Sequence, residues 1–232
     1  MRTEPRPPRS GLAWVLGFVA LGVIVGVVVA LFWNRQPAGD PGAATASPPA
    51  ATSTPTETET AVPDTAPAGC LGGTGRDAQM VLDAMNEAPH TTNGAVEFAS
   101  TFARWLHQYP NPSADDANAV RAAAFSKNNA DFDVAAYFDT NPNLSGGLIP
   151  DGQEFTSSTL QGVWYVEAVE PDAVTVSVGV SLVVDGAVSP DLRGAITVSV
   201  VWEGDSWKFD DSEGTRTPKG LFGIGTAFTA GC

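Results

Sequence analysis

The run from Leu12 to Trp33, LAWVLGFVALGVIVGVVVALFW, holds 22 residues without a charge and constrains this chain more than any other stretch. As an α-helix it extends roughly 33 Å at about 1.5 Å per residue, enough to cross a hydrocarbon core about 30 Å thick. It reads as a membrane-spanning helix, with Trp14 and Trp33 near its ends, where indole rings favour the interface. A cleaved signal peptide competes with this reading. Its apolar region would span about 7 to 15 residues with a small-residue cleavage site close behind, and here the nearest such site, Ala44-Thr45-Ala46, lies well beyond Trp33. Arg2, Arg6 and Arg9 flank the N-terminal side against Arg35 alone on the other. That imbalance predicts a single-pass protein of the cell membrane with a cytoplasmic N-terminus and an extracellular C-terminal domain. Gly22, Gly26 and Ala30 recur at every fourth position of the run. The spacing is either a helix-association face, and so a route to homo-oligomers, or the chance product of a Gly- and Val-rich span.

On this reading residues 1–11 are a cytoplasmic tail, 12–33 the transmembrane helix, 34–68 a linker and 69–232 an extracytoplasmic domain. The linker scatters prolines among Ala, Thr, Ser and Gly with no aromatic residue, a composition that buries too little apolar surface to offset ordering and predicts disorder. Beyond Trp33 the chain has 9 Lys and Arg against 25 Asp and Glu, which disfavours a phosphate backbone and excludes nucleic acid as a direct partner. The two cysteines, Cys70 and Cys232, bracket the exported domain, where thiols oxidise, and are expected to pair. Closing a loop of that length would stabilise by roughly 5 kcal/mol in the chain-entropy model. Two free thiols or intermolecular bridges are the alternatives.

The domain changes period half-way. Residues Arg76 to Glu87 and Ala95 to Tyr109 carry apolar side chains at spacings of three and four, including Phe98, Phe102, Trp105 and Leu106, with Asn93 as a candidate cap and Pro110 as a stop. A third helix starts at Ser113, with Asp115 and Asp116 in its first turn, and a short fourth segment covers Asp131 to Phe138. From Leu160 the period becomes 2. Leu160 to Val169, Ala173 to Val184, Ala195 to Trp202 and a short strand through Trp207 and Phe209 follow one another, with Asp185-Gly186 and Glu203-Gly204-Asp205 as hairpin signals. Four successive strands predict an antiparallel meander whose apolar face is covered by the helices, an α+β domain. Residues from Thr215 to Cys232 read as an irregular tail.

Helices followed by a meander ending in WEGDSWKF, Trp202 to Phe209, resemble the cone-shaped NTF2-like fold, in which a curved four-stranded antiparallel sheet wraps a long helix. With the short N-terminal tail, one span and a Pro-rich linker, the chain resembles the bitopic assembly proteins of type IV secretion and conjugation systems. The stretch NGAVEFASTFARWLHQYPNP, Asn93 to Pro112, is also similar to uncharacterised membrane-anchored proteins associated with Gram-positive conjugative elements. The resemblance implies a non-enzymatic scaffold whose partners are the membrane and other envelope or secretion proteins, and it supplies no catalytic residues. It implies as an alternative a tethered ligand-binding or isomerase-like domain, since the NTF2-like fold also hosts such enzymes.

The chemistry-bearing residues agree with that expectation. Two histidines, His90 in a turn and His107 on a helix, are too few for a zinc site once both cysteines are paired. Asp139-x-Asn141-x-Asn143 hints at a calcium loop, but Leu144 stands where glycine is required and Pro142 intrudes. Asp131, Asp133 and Tyr137 are the nominees for an isomerase-like base and donor, and Asp210, Asp211 and Glu213 form an acidic cluster after the last strand. No cofactor, metal or catalytic residue is expected.

Overall fold

The computed structural model of the chain describes residues 64–214 and 216–232. The apolar run of residues 12–33, the Gly22, Gly26 and Ala30 spacing and most of the linker lie outside them. Among the described residues no helix is long and apolar enough to cross a membrane.

Helix α1 (Ala78–Glu87) is capped by Asp77, whose carboxylate accepts from the Met80 N–H. Helix α2 (Thr92–Leu106) is capped by Thr91 rather than Asn93. It also ends short of the expected Tyr109, because Gln108–Tyr109 leaves the helix as strand β1. Tyr109 precedes Pro110, and the proline ring disfavours helical backbone at the residue before it. Helix α3 (Ala114–Ala124) has Ser113 at its cap, accepting from the Asp116 N–H. Helix α4 (Val134–Thr140) begins after Asp133, whose side chain caps it from the Ala136 N–H.

Strands β2 (Phe155–Glu170), β3 (Ala173–Val184), β4 (Ala187–Glu203) and β5 (Ser206–Glu213) form the antiparallel meander. The hairpins turn through Asp185-Gly186 and Gly204-Asp205, all four residues at positive φ, the two-residue geometry that matches strand twist. The sheet exceeds the four strands expected, because β1 and β6 (Thr226–Ala227) both pair with β2. Two-residue strands carry no hydropathy period, so nothing in the pattern announces them. Register shifts in the β2–β3, β3–β4 and β4–β5 pairs curl the sheet.

The inner face carries Val174, Val176, Val178 and Val180 of β3, Val198 and Val200 of β4, and Trp207 and Phe209 of β5, and it closes on Phe98, Phe102 and Trp105 of α2. The Phe102 and Phe209 rings stack at 4.2 Å between centroids. The outer face of the sheet is covered as well, by a tail that is not irregular throughout. The tail contains helix α5 (Pro218–Ile224), which covers that face, so that Ser177 and Ser181 are buried. Gly179 permits this, since a Cβ there would lie 2.8 Å from Phe222 and 2.9 Å from Val163.

The back of α2 is polar and holds the segment that leads into the domain. Glu97 accepts from the backbone N–H groups of Ala68 and Gly69. The Thr101 hydroxyl donates to the Leu71 carbonyl at 2.8 Å. The Arg104 guanidinium donates to the carbonyls of Gly73 at 2.8 Å and Leu71 at 2.9 Å. Just past the helix, the Gln108 amide donates to the Arg76 carbonyl at 2.9 Å. Cys70 of this segment is bonded to Cys232, and the tail adds Thr229 N–H to Pro67 O at 3.0 Å. Arg104 is fully buried and its pKa falls to about 10, chiefly through desolvation and then through nearby Arg76, with Glu97 opposing. Replacing Arg104 by Met removes the donor shared by the Gly73 and Leu71 carbonyls, of which Leu71 keeps the Thr101 hydroxyl. The expected loss is about 1–3 kcal/mol, against a change within about 0.5 kcal/mol for Lys219→Met at an exposed site, both read from urea unfolding with the disulfide intact.

Candidate functional site

Two of the clefts left by the sheet and helices bring titratable side chains beside apolar walls and hold residues singled out from the sequence. The first, about 420 Å³, opens beyond the C-terminal end of α2. Its apolar wall is Val180, Leu182 and Ile196 of the sheet with Leu144 and Leu148 of the loop that follows α4. Its polar groups are His107, Ser145 and Arg193. The loop is shaped by Asn143, whose amide donates to the Ile149 carbonyl at 2.9 Å and to the Asp151 carboxylate at 2.8 Å while its oxygen accepts from the Ser145 N–H. Asn143 is thus committed within a turn, and Asn141 bonds back to the Tyr137 carbonyl.

His107 is the C-cap of α2, and its Nδ1 lies 3.1 Å from the Ala103 carbonyl oxygen. Only a protonated Nδ1 can donate to a carbonyl, so Nε2 of the neutral ring is left as an acceptor. The imidazole is held below its ordinary range, first by burial, with the Ala103 carbonyl opposing. Arg193 lies with its guanidinium carbon 4.3 Å from the centre of the Phe222 ring of α5, and its Nε is buried without a partner among the described residues.

The second cleft, about 370 Å³, is aromatic: Phe102, Phe125, Phe132, Tyr137 and Phe209 line it beside Asp211. Of the residues nominated from sequence, Tyr137 reaches this cleft, whereas the Asp133 carboxylate is spent on the α4 cap. Asp210 does not act with Asp211; it accepts from the Ser126 hydroxyl at 2.5 Å and from the Asn128 amide at 3.3 Å. Asp211 and Tyr137 come together through β5 and α4, a proximity with no signature in sequence spacing.

The two histidines stand at opposite ends of α2, whose 15 residues span about 22 Å. His90 stacks on Trp202 at 4.2 Å and faces Asp172 at 3.1 Å. Among the described residues no three His, Cys, Asp or Glu side chains are grouped to hold a metal ion. Away from the clefts, Arg216 forms a forked pair with Glu167, which also accepts from the Ser177 hydroxyl at 2.6 Å. The Glu167 carboxyl is lowered first by its Arg216 hydrogen bond.

The sequence matches no protein-family model, and neither curated proteins nor solved structures give a match.

The depressed His107 pKa makes stability depend on pH with a defined sign. The unfolded ring, near 6.5, takes up a proton more readily than the folded one. The contribution is therefore fully present above about pH 6.5 and is lost as pH falls from there through the folded pKa. Urea midpoints measured between pH 7.5 and 5 should fall in the native protein and fall less in His107→Gln, which keeps a donor for Ala103 but does not titrate.

Proposed function

We propose that this chain is a non-enzymatic scaffold, anchored in the cell membrane by residues 12–33, whose extracytoplasmic domain docks other components of a conjugation or type IV secretion-like assembly. The observation that carries the reading is the filled concavity of the sheet. Phe98, Phe102 and Trp105 occupy it against the valines of β3 and β4, each at most 1% exposed, so recognition falls to the rim and the outside rather than to a central chamber. The Cys70–Cys232 disulfide suits an oxidising compartment. The NTF2-like description is likewise a proposal, supported by the curled antiparallel sheet wrapped on one long helix.

A second reading, a tethered ligand-binding or isomerase-like domain, is favoured by one observation: Tyr137 and Asp211 share the aromatic cleft, a phenol and a carboxylate of the kind that proton-transfer chemistry uses. In-cell crosslinking of the full-length protein followed by mass spectrometry separates the two. The scaffold reading expects channel, ATPase or other envelope components of one machine to be recovered. Recovery of the protein alone, together with saturable binding of a small carbonyl compound lost in Asp211→Asn, would favour the second.

A further inference from the structure

The sheet is closed on almost every side by its own chain. Between Phe155 and Trp164 the free side of β2 is met by β1, by β6 and by Cys232, whose carbonyl accepts from the Thr159 N–H. The free side of β5 is met by residues 125–129: Phe125 bridges to Phe209, the Ser126 N–H donates to the Phe209 carbonyl at 2.8 Å, and the Asn129 amide donates to the Asp210 carbonyl. Two stretches lack such cover among the described residues, 165–170 at the far end of β2 and the first part of β4. The pairing of β4 with β5 starts at Thr197, so among the described residues 187–188 and 193–196 are paired on the β3 side alone, with 189–192 looped out between them. The outer part is blunted by Pro190, exposed Asp191 and a turn in which the Ser189 hydroxyl accepts from the Leu192 N–H, devices that discourage strand addition. Residues 193–196 have none of these, and in an antiparallel strand alternate residues turn both N–H and C=O toward the open side.

The same four residues form one wall of the 420 Å³ cleft, opposite Leu144 and Leu148. An open strand edge thus runs beside an apolar pocket. In a chain of formal charge −14, the cation at this edge, Arg193, has no carboxylate or carbonyl partner among the described residues and is held by Phe222 alone.

We infer that the cleft binds the C-terminal segment of a partner protein, which adds as an extended strand to residues 193–196, seats an apolar side chain between Leu148 and Ile196, and places its terminal carboxylate on Arg193. Main-chain bonds supply affinity in such strand addition, and pockets for alternate side chains supply selection. The guanidinium answers a single carboxylate, while the net negative charge of the chain disfavours a partner with many. The inference rests on the partner-docking reading above, and deepens it by naming the segment that docks.

The test uses the full-length chain, disulfide intact, and a fluorescent hexapeptide of alternating threonine and valine ending in leucine. It is compared as the free carboxylate and as the C-terminal amide by fluorescence polarisation, with amide hydrogen exchange read at residues 193–196. The carboxylate form should bind at least tenfold more tightly than the amide, and binding should slow exchange at 193–196. Arg193→Gln should abolish the tenfold preference, and Leu148→Asp, at an exposed residue, should weaken both forms. Equal affinity of the two forms, or protection elsewhere, overturns the inference without touching the crosslinking result. Decanoate displacing the peptide with no protection of the strand would identify a free apolar acid as the ligand. Concentration-dependent protection of 193–196 without peptide would identify a second copy of this chain. Either result overturns the proposal while leaving the crosslinked partners to decide whether the protein is a scaffold.

Discussion

The buried guanidinium of Arg104 is the interaction on which the rest of the domain depends. A charge taken out of water is tolerated when most of its donors are used, and here two backbone carbonyls, the Thr101 hydroxyl and the sulfur of Cys232 receive the two terminal nitrogens, while Nε has no partner among the described residues. The consequence is that helix α2 is occupied on both sides. Its apolar side fills the curled sheet, and its polar side, Glu97, Thr101 and Arg104, holds the segment that leads into the domain. The disulfide lies at the same place, so the first and last parts of the domain are tied to the back of the one helix that the sheet wraps.

Fastening the tail there has an effect on the opposite face. Between β5 and Cys232 the chain crosses the outer side of the sheet, where Gly179 and the small residues around it let α5 approach closely, and then pairs with β2. That path covers the outer face, where Phe222 meets Arg193, and part of the β2 side of the sheet, but it adds no strand beside the first half of β4 among the described residues. The open edge and the cleft beside it are thus products of where the tail must end. His107 and Arg193 meet in this cleft because α2 stops before Pro110 and because β4 is much longer than β5.

The elements of the fold were largely legible in the sequence. The period of 3.6 over Phe98, Phe102 and Trp105 and the period of 2 over Val174 to Leu182 mark the helix and strand faces that form the core. The Ser113 cap and the two hairpin turns follow from local chemistry. Less legible were the features set by contacts distant in sequence. The helix at Pro218–Ile224 is too short and too rich in glycine to show an apolar period. The burial of Ser177 and Ser181 reverses the usual meaning of a polar alternation. Arg104 was visible as a residue, and the repeat of polar positions at 97, 101 and 104 was a sign that α2 had a second buried side.

The sequence alone determined the periodicities, the turns, the acidic balance and the pairing partners available to two cysteines, because each depends on residues near one another in the chain or on composition. It also placed a 22-residue uncharged run ahead of the domain. Tertiary structure decided which polar groups are buried, which strand edge stays open and which side chains line each cleft. Tyr137 and Asp211, or His107 and Arg193, are brought together only when the sheet curls and the tail returns to Cys70, and nothing within a local window of sequence records that distance.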